Sequence, residues 1–214
     1  YHQSKHCLGE IMSHTHLFPS IRRVSALCSA VLAALSLTAC ISFPDQEPRD
    51  VMPLGQSSFD QYVTETTHWI NEHRRFVTDN HSLELSYQAP FEIKPAKPNG
   101  KGVLMIHGFT DSPYNFVDMA NYLADQGFLV RAVVLPGHGT KPEDMLPVNF
   151  KDWDRLIDEQ TRILANDVSE VYLAGFSTGA NLALHEAYEN TKVQGLILIS
   201  PALSVRTSLV HFVP

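Results

Sequence analysis

The chain has 214 residues, 44% of them hydrophobic and 18% charged, with a formal net charge of −7. That is enough apolar material for one domain with a sizeable core. The first 39 residues hold Lys5, Arg22 and Arg23 against Glu10, which leaves about −9 on the remainder and excludes a phosphate-binding nucleic-acid surface or a basic membrane-binding face.

In chain order, the first segment reads as a leader. The sequence begins with Tyr1, and Met12 is a credible start. Arg22-Arg23 form a basic n-region ahead of the apolar run VSALCSAVLAALSLTAC. Leu37-Thr38-Ala39-Cys40 resembles a bacterial lipobox, in which the cysteine is acylated and becomes the mature N-terminus. The expected organisation is therefore upstream residues plus a signal over 1–39, a lipidated Cys40 with a tether over 40–55, and a domain over 56–214. That organisation places the protein in the bacterial cell envelope, exported and held at a membrane through Cys40. A spanning anchor is the alternative, since the apolar run approaches the roughly 18 residues a crossing helix needs. Cys7, Cys28 and Cys40 are all the cysteines, so the domain has no disulfide and relies on its core.

Phe59, Tyr62, Val63, Ile70 and Phe76 predict an amphipathic helix ahead of the core, and the run from Lys94 to Lys101 an exposed turn. VLMIHGFTDSPYNF, Val103 to Phe116, reads as a buried strand, a His-Gly turn and a helix start with Ser112 at the N-cap and Pro113 in the first turn. A strand follows over Phe128–Pro136, leading into the turn Gly137-His138-Gly139. His138 either touches substrate or fixes the loop. NFKDWDRLIDEQTRILAN then carries Trp153, Leu156, Ile157, Gln160 and Ile163 at helical spacing.

The chemical signal is GFSTGA, Gly175 to Ala180. It follows the strand-like SEVYLA and precedes the helical NLALHEAYEN, so Ser177 stands at a strand-to-helix turn, the setting a serine nucleophile of the Gly-x-Ser-x-Gly type requires. Side chains at Gly175 and Gly179 would collide as strand and helix close, and the helix N-terminus behind Ser177 faces a developing oxyanion. An idle serine in a glycine-rich connection is the bland alternative. VQGLILIS, Val193 to Ser200, completes the alternation as a near-continuous apolar strand, so the pattern predicts a doubly wound α/β domain with a mostly parallel sheet.

His107-Gly108-Phe109, Leu135 to Gly139, Asp152-Trp153 and Gly175 to Gly179 stand in an order that resembles the α/β-hydrolase family from about Leu83 to Leu203. Within it, bacterial carboxylesterases and monoacylglycerol-lipase or lysophospholipase-like members are the most similar in look. The resemblance implies a serine carboxylic-ester hydrolase acting on a small ester or lipid through an acyl-enzyme on Ser177. The N–H groups of Phe109 and Thr178 would then hold the oxyanion. No cofactor and no metal are implied, and neither HExxH nor CxxC spacing occurs. Phe176 and Thr178 depart from the His or Leu and the Met, Leu or Gln that relatives often carry there.

Such enzymes order their triad as Ser, then Asp or Glu, then His. After Ser177 only Glu186, Glu189, His185 and His211 remain. His185 is eight positions along the helix, about 12 Å from the serine at 1.5 Å per residue. His107 precedes the serine and suits a structural hydrogen bond. The expectation is therefore an N-terminal portion of a hydrolase, lacking lid and last strands and inactive alone. An acyltransferase or peptidase of the same fold, and a non-catalytic tethered binding protein, are the alternatives.

Overall fold

In the computed structural model the described residues are 51–203. The leader, Cys40 and His211 lie outside them. Helix α1, Phe59–His73, starts at Ser58, whose hydroxyl accepts from the Gln61 N–H, and buries Phe59, Tyr62, Thr66 and Ile70 along one stripe. It is the expected amphipathic helix, but it stops before Phe76. That ring stacks on His81 with centroids 4.1 Å apart. A second helix that the periodicity did not announce, α2 (His81–Gln88), begins at Asn80, whose side chain accepts from the Leu83 N–H. Its one buried residue is Glu84, so it has no apolar stripe to read.

The sheet follows: β1 (Phe91–Ile93), β2 (Lys101–Ile106), β3 (Leu129–Val133), β4 (Glu170–Phe176) and β5 (Val193–Ile199), in the order β1-β3-β2-β4-β5. Strand β1 runs antiparallel to β3, and all other neighbours are parallel. Helices α3 (Val117–Asp125), α4 (Phe150–Asp167) and α5 (Thr178–Glu189) make the crossovers. This is the doubly wound arrangement the alternation predicts. Along β2 the side chains alternate between two cores. Leu104 and Ile106 pack with Leu135, Leu156, Leu164 and Leu173. Val103 and Met105 pack with Phe116, Ala120, Val130 and Ala132.

Three local expectations change. Ser112 sits at the N-cap position, but its side chain makes no cap bond and Pro113–Phe116 form a 3₁₀ turn before α3. Asp111 instead accepts from the Ser112 N–H at 2.8 Å and from the Asn115 side chain. Strand β5 is half-buried rather than covered on both faces, with Ile197 38% exposed, because it is the sheet edge among the described residues. Met52, inside the stretch expected as a tether, is 2% exposed in the core, and the Gly55 N–H bonds Glu159 on α4. Arg131, a charge within β3, is buried against Glu92 at 2.7 Å and Asp167 at 2.6 Å, with its guanidinium 4.8 Å from the Phe59 ring centroid. Two carboxylates and a ring face offset the desolvation of this cation.

Register sets the site. Ile106 pairs with Val133 on one side and Gly175 on the other, so β2, β3 and β4 end together at one edge of the sheet.

Candidate active site

Ser177 is the residue between β4 and α5, at φ 51° and ψ −114°, a conformation that strains any residue with a Cβ. It is held there by the Ser177 N–H bond to Ile199 O at 2.9 Å, while Ser177 O starts α5 by accepting from the Ala180 N–H. Its hydroxyl makes no capping bond with the helix. The flanking glycines are sterically required. A Cβ on Gly175 would overlap the Gly179 carbonyl and lie 2.5 Å from Ala180 N. One on Gly179 would overlap Ile106 O and lie 2.5 Å from His107 O. The first turn of α5 thus rests directly on the end of β2, its N–H groups gathered around Ser177.

The loop after β2 lies beside this turn. A Cβ on Gly108 would fall 3.0 Å from the Phe176 ring and 3.3 Å from Phe176 O, so the loop at Gly108 lies close against the residue before the serine. Thr110 takes φ 58°, and Ser200, after β5, takes φ 48°. With Ser177 these are the non-glycine residues of positive φ among the described residues, and all three follow strand ends at the same edge of the sheet. Backbone strain of this kind clusters at active sites, which makes this edge the candidate.

Two histidines build the loops rather than face solvent. His107 is fully buried, with Nδ1 2.7 Å from Gly108 O and Nε2 accepting from the Leu135 N–H at 3.0 Å. Burial, reinforced by neighbouring His138, pulls its pKa down to about 3. His138 has Nδ1 against Leu135 O and Pro136 O, and Nε2 accepts from the Thr110 N–H at 3.2 Å. That pattern requires the neutral ring with its proton on Nδ1, and burial lowers its pKa accordingly. Of the two roles open to it from sequence, the hydrogen bonds show the loop-fixing one. Trp153 donates from Nε1 to Pro136 O at 3.0 Å, and Asp152 closes a capping box with Asn149.

Gly175, Ser177, Thr178 and Gly179 therefore share one turn, with Gly108 of the β2 loop against it and Phe109 next in that loop. His185 is not among them: it pairs with Asp154 at 3.2 Å and lies edge-on to Phe150, against α4. Beside the Phe109 loop opens a pocket of about 450 Å³ lined by Thr110, His138, Met145 and, from the N-terminal helices, Arg74 and Gln88. Sequence reasoning missed Thr110 and Arg74. Neither carries a motif, and their parts depend on partners 28 and 65 positions away.

The model of the family described as serine aminopeptidase, S33, matches residues 97–214, more than half of the chain. The chain belongs to this family. Relatives include the thermostable monoacylglycerol lipase of Bacillus sp. (strain H-257), 33% identical over 104 residues, which are 49% of this chain and 42% of that one. A carboxylesterase of Bacillus subtilis (strain 168) is 23% identical over 117 residues, 54% of this chain and 47% of that one. A solved structure from the metagenome-derived lipolytic enzymes LipS and LipT matches with a TM-score of 0.53 at 28% identity, over 58% of this chain and 50% of that one. The S33-family chain thus spans just under half the length of these curated relatives, and the described residues form part of an α/β-hydrolase fold.

Proposed function

We propose that the whole protein is a serine carboxylic-ester hydrolase. The observation that carries this reading is the strained Ser177 at φ 51°, its hydroxyl uncommitted to the helix and its glycine neighbours without room for a side chain. Ser177 Oγ attacks the ester carbonyl while a histidine takes its proton. The C–O bond to the alcohol breaks as that proton passes to the leaving oxygen, and water then releases the acyl group by the same route. The Phe109 and Thr178 N–H groups hold the oxyanion. His107 and His138 hold loop backbone, and His185 pairs with Asp154 on α4, so none of the three is assigned as the base. The names of the relatives favour esters; the family's description keeps a peptidase as the second reading. In the full-length protein, Ser177→Ala should lower ester turnover by roughly 10⁴-fold or more, with esters cleaved in preference to aminoacyl anilides. Substantial turnover in that variant, or a preference for the anilides, would remove the ester assignment.

Acylation of Cys40, which would place the protein at a cell-envelope membrane, belongs to the same reading, supported by the Leu37-Thr38-Ala39-Cys40 run. Expressed in a bacterium, the protein should fractionate with membranes and carry acyl groups, and Cys40→Ser should abolish both. An N-terminus processed elsewhere without lipid would defeat it.

A further inference from the structure

We propose that α1 and α2, which precede the residues matched by the family model, are a positioning element for the oxyanion loop, acting through the segment 134–140 that follows β3; this rests on the esterase reading above. Two side chains of α1 and its cap grip that segment. Tyr62, fully buried, donates its hydroxyl to Val134 O at 3.0 Å and accepts from the Val134 N–H at 2.9 Å. Arg74, the C-cap of α1, donates from Nη1 to Gly139 O at 2.8 Å. Its other edge is fixed by Glu84 of α2, which accepts from Nε at 3.2 Å and Nη2 at 3.1 Å. Glu84 is itself tied to the Val77 and Thr78 N–H groups, and Thr78 foremost, with Val77 and Arg74, holds its pKa down to about 2. The guanidinium is therefore aimed before any substrate arrives.

The gripped segment in turn carries the loop. Leu135 N–H is taken by His107 from the β2 side, one residue from where Tyr62 holds Val134. Gly139, at φ 83°, has Ile70 of α1 packed where a Cβ would point, 3.1 Å away, so the turn closes against that helix. Between them His138 accepts the Thr110 N–H, one residue after Phe109. Thr110 sits at positive φ, which the local sequence does not favour, so an outside bond must hold it. The path from Arg74 to Phe109 runs through Gly139, His138 and Thr110, all lining the same pocket. Displacing an oxyanion donor by about 1 Å is enough to cost on the order of 10²-fold in rate, while substrate binding elsewhere is untouched.

The test compares full-length parent, Arg74→Ala, Tyr62→Phe and Arg74→Lys, with active sites counted by exhaustive fluorophosphonate titration so that unfolded protein drops out. The expected result is a fall in kcat per titrated site of roughly 10-fold or more in Arg74→Ala and Tyr62→Phe, with KM changed by less than about threefold. Affinity for a trifluoromethyl ketone should fall in parallel, and Arg74→Lys, which keeps the charge but not the fork that Glu84 and Gly139 O share, should recover only part of it. Arg74 is partly exposed, so its variants decide the matter if Tyr62→Phe does not fold. An active parent with kcat per site unchanged in Arg74→Ala overturns the positioning role alone. A parent that neither labels nor cleaves esters overturns it together with the esterase reading.

Discussion

At Ser177 the chain accepts a backbone conformation that costs of order 1–3 kcal/mol. What fixes it is packing on both sides: Gly175 against Gly179, and Gly179 against the carbonyls that end β2. Because those obstacles are backbone, they cannot yield as a flexible side chain would. Gly179→Ala should therefore destabilise the domain by roughly 3 kcal/mol or more, at the top of the usual range for overpacking, and lower Tm by about 6–12 °C. Thermal unfolding checks this, and an unchanged Tm would mean that α5 does not rest on β2 as described. The need for these glycines was legible from the motif, since close approach of strand to helix follows from a serine on a sharp turn. The strain at Thr110 and Ser200 was not, because neither residue type signals positive φ.

Among the elements, those with a strong period were legible: α4 from Trp153 to Ile163, β2 from its apolar run, and the parallel sheet from strand–helix alternation. Helix α2 was not, because it buries a glutamate used as an anchor for Arg74. Strand β5 shows the limit of composition from the other side. VQGLILIS reads as fully covered, but burial depends on what lies beyond the edge, which the run itself does not contain. Among the described residues β5 is the outermost strand, with Ile197 38% exposed, and an outermost strand is one that another chain can pair with. Residues 41–214 produced alone should self-associate through this strand. Light scattering checks this, and a monomeric species would contradict it.

Across the whole domain, two neutral histidines buried under the site couple stability to pH. His107, held down to about 3, and His138, also lowered, stay uncharged in the folded state when the unfolded chain has begun to take up protons. Their contribution is therefore present above about pH 6.5 and is lost as pH falls from there toward 3. At pH 5 the cost from His107 alone is about 2 kcal/mol, and His138 adds to it in the same direction. Urea unfolding of the full-length protein at pH 7.5 and pH 5 should show that loss. Equal or greater stability at pH 5 would mean that His107 is not held neutral.

The proposed chemistry rests on one oxygen, Ser177 Oγ, and one measurement addresses it most directly. The full-length protein is treated with a fluorophosphonate and digested, and the modified peptide is located by mass spectrometry. The account predicts a single stoichiometric phosphonyl adduct on Ser177, absent from Ser177→Ala. An adduct on another residue, or none on a protein that still hydrolyses esters, would contradict it.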